Sequence, residues 1–283
     1  MLCKSKGRRG AAGLPGGLGV VKWLVTNARR RFVSAHLDNL RVVLVGTRNP
    51  LNVGAAARAM SNFGARHLRV VNAYEVAFRE ARSAVHAKDV LAHAQEFESV
   101  AEAVADCRLA VGTTAVGRRE LRHRLLRLEA GGRAIRRRLA AGPVALLFGS
   151  EKVGLSNTDL SYCDWLMRIP TRDEHGSMNL GQAVAVCLYE LVREGKSRAI
   201  PLVAKSAMSG APAEAGKVEM LTQLLLGVLR SSGYVKPRLE SVTEENVRRM
   251  VRRMQLDGND AEVWLGMLRQ IAWKLAGDSG EGL

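Results

Sequence analysis

The sequence has little negative charge and lacks long hydrophobic runs. It contains 43 lysine and arginine residues against 27 aspartate and glutamate residues, for a formal net charge of +16. No stretch approaches the roughly 18 consecutive apolar residues that a membrane span needs. A pI near 10.4 favours a phosphate-rich partner, and nucleic acid over acidic lipid. We therefore expect a nucleic-acid-binding protein with no membrane segment.

Cysteine is also scarce. The four cysteines, Cys3, Cys107, Cys163 and Cys187, show neither CxxC spacing nor the nearby histidines that a zinc site requires. This pattern is typical of buried thiols in a reducing compartment, so we expect a cytoplasmic protein. Neither GxGxxG nor GxxxxGK[ST] occurs, which leaves the usual dinucleotide-binding and P-loop interpretations without support.

The first 39 residues are basic and rich in glycine, with no acidic residue before Asp38. We expect a solvated tail, or a start codon placed too early. The glycine run from Gly13 to Gly19 disfavours an organelle transit peptide because it would interrupt an amphipathic helix. A secretion signal is disfavoured because no long apolar segment precedes a small-residue cleavage site.

Residues 40–196 alternate apolar runs with helical patterns, which predicts an α/β domain with a mostly parallel sheet. The predicted strands cover 41–46, 67–71, 108–112, 144–148 and 165–169, and five or six strands are expected. The predicted helices cover 53–63, 84–94, 99–105, 134–140 and 179–194. Prolines and glycines indicate a linker over 197–216. A small helical domain is predicted over 217–277, with helices at 221–229, 243–254 and 260–274.

Three polar clusters that contain glycine follow predicted strands, where open α/β sheets place their ligands. The first, 49–58, includes Asn52, which we predict caps a helix, and Arg58 inside that helix. The second, 147–155, places Glu151 between glycines, which let the backbone approach a ligand. The third, 168–183, contains a polar loop too elaborate for a bare connection. Ordinary capped helices and loops are the alternative interpretation.

In order and separation, these clusters resemble the three motifs of the SPOUT methyltransferases of the TrmH/SpoU type, over about residues 41–194. The stretch 218–276 is similar to the helical extension of the TrmJ group, which methylates a ribose 2′-hydroxyl in the anticodon loop of tRNA. The resemblance implies an α/β fold with a deep trefoil knot, an exception among folds. It also implies S-adenosylmethionine (SAM) as cofactor, no metal, and a homodimer with sites near the subunit interface.

The resemblance assigns site residues position by position. Asn52, Arg58, Glu151, Ser177 and Asn179 match the catalytic positions. The resemblance makes Arg58 the candidate both for removing the proton of the ribose hydroxyl and for aligning it. Because arginine is normally protonated, a role as base requires help from a substrate phosphate or Glu151, so we expect Arg58 to position the ribose and stabilise charge, with the other four orienting Arg58 and the ribose. The positions matched to the cofactor loops are Thr113, Thr114, Gly149, Ser150, Gly154, Ile169, Ser177 and Met178. Leu147, Ile169 and Met178 are expected to sandwich the adenine.

Arginines crowd the stretch after Thr114 and predict a track for RNA phosphates. They are Arg118, Arg119, Arg122, Arg124, Arg127, Arg133, Arg136, Arg137 and Arg138. Arg248, Arg249, Arg252 and Arg253 in the helical extension are expected to lengthen it. His175, where TrmJ proteins often have tyrosine, is a candidate contact for a flipped nucleotide, which leaves base preference open.

Together these features predict SAM-dependent 2′-O-methylation of tRNA, at nucleotide 32. A ribosomal RNA target and a catalytically inactive RNA-binding protein are the alternatives.

Overall fold

A computed structural model describes residues 37–72, 87–115, 122–172, 177–193 and 210–278. Most of the predicted basic tail lies outside the described residues, as do Arg118, Arg119 and His175. None of the described helices is long and apolar enough to cross a membrane.

Seven strands of the described chain form one sheet in the order β3-β2-β1-β6-β4-β7-β5. They are β1 (Leu40–Val45), β2 (His67–Val71), β3 (Gln95–Phe97), β4 (Leu109–Thr113), β5 (Leu125–Arg127), β6 (Val144–Phe148) and β7 (Trp165–Arg168). Every pairing is parallel, which confirms the predicted α/β class. The register is continuous across the centre, where Leu44 of β1 pairs with Val70 of β2 and Phe148 of β6.

The predicted count of five or six strands is too low. The two missed strands, β3 and β5, are three-residue strands at the edges of the sheet, and most of their residues are exposed. They therefore lack the apolar run by which buried parallel strands are recognised in a sequence.

Helices cover both faces of this sheet. They are α1 (Pro50–Phe63), α2 (Lys88–Ala92), α3 (Val100–Val104), α4 (Leu128–Leu139), α5 (Asn157–Ser161) and α6 (Leu180–Val192). Leu44 packs in a core cluster with Met60 of α1 and Leu188 of α6, whereas its neighbour Val43 packs in a second cluster with Val104 of α3. Successive strand residues point to opposite faces, so covering both faces explains the uninterrupted apolar strands.

Helix α1 begins earlier than predicted. Its cap is Asn49, whose side chain accepts a hydrogen bond from the Leu51 backbone nitrogen at 2.9 Å. Pro50 favours this start because its fixed φ suits the first helical position and its missing N–H needs no partner there. The prediction that Asn52 caps the helix is therefore wrong, and the Asn52 side chain is left for tertiary contacts.

The C-terminal helices are α7 (Ala215–Ser231), α8 (Glu240–Arg253) and α9 (Gly258–Asp278), with a 3₁₀ turn at Pro237–Leu239. They have their own apolar cluster, which includes Leu221 and Val251. We call these three helices the helical extension. All three begin earlier than predicted, α7 at Ala215, whose backbone nitrogen donates to the Cys107 carbonyl at 2.8 Å. The extension therefore packs directly against the sheet domain.

Candidate functional site

A cavity of about 390 Å³ lies at the carboxyl ends of β4, β6 and β7. Its size is within the range, on the order of 300–1,000 Å³, that is usual for small-molecule sites. The residues predicted for the cofactor all line it: Thr113, Thr114, Gly149, Ser150, Gly154, Ile169, Ser177 and Met178. Three loops that are far apart in the sequence thus meet at one edge of the sheet, where parallel α/β folds place ligands.

Two glycines shape the wall that follows β6. A Cβ atom at Gly149 would lie 2.0 Å from the backbone carbon of Gly154, so no other residue fits there without moving the backbone. Gly154 has a φ of +70° and donates its backbone N–H to the Ser150 carbonyl at 2.8 Å. This tight turn needs glycine at both positions and exposes backbone groups to the cavity.

Hydrogen bonds also fix the end of β4, which lines the cavity. The Thr113 hydroxyl donates to the Leu147 carbonyl at 2.8 Å, and the Thr114 backbone nitrogen donates to the Met167 carbonyl at 3.0 Å. The cavity edge formed by this strand is therefore held to both neighbouring strands.

The apolar lining differs in one respect from the prediction. Leu147 is buried in the core beside Val43 and does not line the cavity, whereas the next residue, Phe148, does. The reason is the alternation of side chains along β6, together with the position of Phe148 as its last residue. Lys152 and Thr171 also line the cavity and were missed, although both lie within the polar clusters of the sequence.

A chain of hydrogen bonds connects one polar residue from each of the three motifs. Asn179 donates through Nδ2 to Oδ1 of Asn52 at 2.9 Å, and Asn52 donates through Nδ2 to Oε1 of Glu151 at 2.8 Å. Glu151 lines the cavity. The structure thus brings together three of the five residues predicted to be catalytic, and Ser177 also lines the cavity.

This chain has a fixed direction. As the N-cap of α6, Asn179 accepts hydrogen bonds through Oδ1 from the backbone nitrogens of Gly181 and Gln182, at 3.0 and 3.4 Å. An amide accepts through oxygen and donates through nitrogen, so Nδ2 of Asn179 is directed to Asn52. By the same logic, Asn52 must direct its own Nδ2 to Glu151. The helix cap therefore orients a carboxylate that lines the cavity.

Helix packing brings these motifs close enough for such contacts. A Cβ atom at Gly181 on α6 would lie 2.5 Å from Cβ of Ala55 on α1, so the two helices touch at this glycine. The close approach places the first turns of α1 and α6 side by side. Asn52 and Asn179 are therefore within hydrogen-bonding distance.

Arg58 is exposed on α1 and does not line the cavity of its own chain. It lies six residues after Asn52, which corresponds to about 9 Å along the helix and a different helix face. Among the described residues it has no hydrogen-bond or ion-pair partner. A single chain therefore does not bring Arg58 into the site.

The predicted arginine track contains arginines in different environments. Arg133 and Arg137 are exposed on α4, whereas Arg136 donates to the backbone carbonyl of Glu190. Arg122 is exposed and donates to Oδ1 of Asn246 at 3.1 Å. A second cavity, of about 360 Å³, shares Thr171 with the first and is lined by Leu125, Arg127, Arg168 and Pro170. Positive charge therefore lies next to the first cavity.

The expectation that all four arginines of α8 extend this track is wrong for Arg248 and Arg252, which are buried. Arg248 donates to Glu219 at 2.9 Å and to Glu244 at 2.7 Å, and its guanidinium lies 4.4 Å from the ring centroid of Tyr162. Neither of the two can reach RNA, because each is enclosed between the helical extension and the sheet domain.

The cysteines that the structure describes, Cys107, Cys163 and Cys187, are free and buried, which confirms the prediction for these three. Burial raises the pKa of the Cys107 thiol to about 12, so it is not a nucleophile at neutral pH.

Comparison with known proteins identifies the family. Residues 39–189 match the SpoU rRNA methylase family. The tRNA (cytidine/uridine-2′-O-)-methyltransferases TrmJ of Sodalis glossinidius and Cronobacter sakazakii are each 32% identical over 83% of this chain, covering 92% and 96% of their own lengths. A crystal structure of TrmJ from Z. mobilis ZM4 superposes with a TM-score of 0.70 at 28% identity, covering 82% of this chain and 98% of that one. This chain therefore belongs to the SpoU methylase family and resembles its TrmJ members over most of its length.

Proposed function

We propose that this protein transfers a methyl group from SAM to a ribose 2′-hydroxyl of tRNA, at nucleotide 32 of the anticodon loop. The relatives named above are tRNA 2′-O-methyltransferases, and the match covers nearly their full length. The observation that carries the proposal is the hydrogen-bonded chain from Asn179 through Asn52 to Glu151 at the edge of the glycine-walled cavity. We also propose that the enzyme acts in the cytoplasm, since a pool of tRNA is present there.

The cavity suits SAM in size and in chemistry. Its lining combines apolar side chains, such as Ile169 and Met178, with backbone groups at Gly149 and polar side chains at Thr113 and Ser177. This mixture is what an adenine ring, a ribose and an amino acid group need together. When bound, SAM supplies a methyl group on a positively charged sulfur, which an oxygen nucleophile can attack directly.

The residues of the chain must align and activate the hydroxyl, because a neutral ribose hydroxyl is a poor nucleophile. Asn179 and Asn52 hold Glu151 through Oε1, and among the described residues Oε2 has no hydrogen-bond partner. Glu151 can therefore accept a hydrogen bond from the substrate without losing its support. Arg58 positions the ribose and stabilises the negative charge that develops on its oxygen.

A homodimer completes this site. The exposed face of α1 carries Leu51, which is 78% exposed, and Arg58. These residues are seven positions apart and therefore point within about 20° of one another around the helix. Tyr189 of the neighbouring α6 is also largely exposed and contacts Phe63 of α1. An apolar contact between two copies on this face would carry Arg58 of one chain to the cavity of the other.

The exposed arginines near the cavity bind the RNA phosphates. Arg122, Arg127 and Arg133 lie on the described surface, and Arg127 also lines the second cavity. Arg118, Arg119 and His175, which lie outside the described residues, are further proposed contacts.

The decisive experiment incubates the full-length protein with labelled SAM and unmodified tRNA, then maps the methylated nucleotide by mass spectrometry. A methyl group on the ribose of nucleotide 32 supports the proposal. Labelling of ribosomal RNA but not of tRNA overturns the substrate. Calorimetric titration that shows no SAM binding overturns the enzymatic activity and favours an RNA-binding role.

Mixed dimers test whether Arg58 acts across the interface. The variants Arg58→Ala and Asn179→Ala are each expected to be inactive. Equal mixing after co-refolding gives heterodimers in which one of the two sites is intact if Arg58 comes from the other chain, restoring roughly a quarter of the wild-type activity. No recovery in verified heterodimers would place Arg58 and Asn179 of one chain in the same site.

A further inference from the structure

A small cavity lies between the sheet domain and the helical extension, away from the proposed active site. We call it the junction cavity. Its volume is about 40 Å³, and Arg108, Arg138, Asp164 and Arg252 line it together with residues of 212–218 and 251–256. Three arginines from three separate segments thus line one small space.

Arg252 has an unusual set of contacts. Its side chain is only 2% exposed, and Nη1 lies 3.7 Å from Oδ1 of Asp164. Its Nε and Nη2 atoms are buried and have no hydrogen-bond partner among the described residues. A buried arginine in a stable fold normally satisfies its donors, so these two atoms require an acceptor.

The two unpartnered atoms indicate what kind of acceptor fits. Nε and Nη2 lie on the same edge of the guanidinium plane, and their N–H bonds are parallel. This is the edge with which arginine binds two oxygens of one carboxylate or phosphate. A single oxyanion would therefore satisfy both donors at once.

The charge in the junction cavity also favours an anion. Three arginines and one carboxylate line it, and Asp164 already accepts a hydrogen bond from the Ala110 backbone nitrogen through Oδ2 at 2.7 Å. Burial raises the pKa of Asp164, which weakens its ability to neutralise these arginines at low pH. No other described residue that lines the cavity has an acidic side chain.

Size excludes the RNA backbone as the occupant. A cavity of about 40 Å³ exceeds the roughly 10–15 Å³ that one water molecule needs, so it has room for a small polyatomic ion. A phosphodiester carries a ribose on each side, which this space cannot hold. The Arg252 guanidinium is also too deeply buried to meet a phosphate on an RNA surface.

We propose that the junction cavity binds a small inorganic oxyanion of the phosphate or sulfate type, held by both donors of the Nε and Nη2 edge of Arg252. Arg108 and Arg138 supply the charge from the sheet domain. The anion therefore links α8 to that domain and fixes how the helical extension is attached.

Thermal unfolding of the full-length protein tests this. Wild-type protein should unfold at a higher temperature in 10 mM inorganic phosphate or sulfate than in sodium chloride of equal ionic strength. Arg252→Gln should lose most of this increment. The control Arg253→Gln removes a neighbouring exposed arginine of the same helix and should keep it.

A second variant keeps the test valid if Arg252→Gln folds poorly. Arg138 is only half buried and lines the junction cavity, so Arg138→Gln should fold and should bind inorganic phosphate at least several-fold more weakly in calorimetry. An equal stabilisation by chloride, or an increment unchanged in Arg252→Gln and Arg138→Gln, would overturn the proposal. Water molecules would then be the acceptors for Arg252.

Discussion

Several arginines of α1 and α4 and two arginines of α8 look alike in the sequence but have opposite environments in the structure. Arg58, Arg133 and Arg137 are exposed, whereas Arg248 and Arg252 are buried. The difference lies in their acidic neighbours. Helix α4 contains one glutamate, but α8 contains three, and Glu244 pairs with Arg248 at the i,i+4 spacing. The number of arginines in a segment therefore does not locate an RNA surface, because acidic partners on the same helix and on neighbouring elements decide which arginines are buried.

The largest effect on activity should come from replacing an exposed arginine, Arg58. We expect Arg58→Ala to lower single-turnover methylation of tRNA by about 10² to 10³, the usual effect of losing a charge-stabilising donor. Because Arg58 has no partner among the described residues, the unfolding temperature and the affinity for tRNA should stay near wild type. Arg66→Ala, another exposed arginine beyond the end of α1, is the matched control. Near-normal turnover in Arg58→Ala would remove Arg58 from the mechanism.

By contrast, Arg248→Ala should lower the free energy of unfolding. It leaves Glu219 and Glu244 without their shared partner, and breaking a buried ion pair in this way costs about 3–5 kcal/mol. Denaturant unfolding of the two variants Arg248→Ala and Arg253→Ala measures the difference. The exposed Arg253 should change the free energy of unfolding by no more than about 0.5 kcal/mol. If both variants changed the free energy of unfolding equally, burial would not distinguish the contribution of Arg248 from that of Arg253.

A smaller effect, on tRNA affinity, is expected from replacing the exposed arginines of α4. The double variant Arg133→Gln and Arg137→Gln should weaken tRNA binding, and each lost phosphate contact should reduce the slope of log affinity against log salt by about 0.7–0.9. Turnover at saturating tRNA should not change. A double variant that removes the same charge from α7, Lys217→Gln with Arg230→Gln, is the control, since both residues already pair with acids. An unchanged slope in the α4 variant would exclude α4 from the RNA surface.

The sequence predicted the central strands well because they are continuous apolar runs, as in β1 and β6. It also placed the end of α1 correctly at Phe63, because Gly64, with a φ of +80°, ends the helix there. Short edge strands such as β5 carry no such signal. Pro50 starts α1 three residues before the predicted start at residue 53, so its cap is Asn49 and not Asn52.

For the site, the motifs predicted which residues meet but not how they are connected. The hydrogen-bond direction from Asn179 to Glu151 depends on the cap of α6 and on the contact between Gly181 and Ala55, both of which follow from tertiary packing. Burial of Arg248 was equally out of reach, since its partner Glu219 lies 29 residues away on another helix. The trefoil knot implied by the family resemblance stays a prediction.

The smallest of these effects is expected at an ion pair that is intermediate between the buried and the exposed arginines. Asp106 is a half-exposed carboxylate that pairs with the buried Arg69 at 2.5 Å. The hydrogen bond from Arg69 lowers the pKa of Asp106 from 3.8 to about 2. A lowered pKa in the folded state stabilises the fold fully above pH 3.8, and this contribution is lost as the pH falls through about 2. After allowance for solvent screening, Asp106→Asn should cost about 1 kcal/mol at pH 7.

Urea unfolding of wild type and Asp106→Asn between pH 6 and pH 2 measures this contribution. The difference in unfolding free energy should be constant down to about pH 4 and should then shrink, because only the wild type takes up a proton on the Asp106 carboxylate. A difference that persists unchanged at pH 2 would mean that packing around Arg69, and not the charge of Asp106, accounts for it. The ion pair of Arg69 and Asp106 would then have the geometry of the Arg248 ion pairs but would not stabilise the fold through its charge.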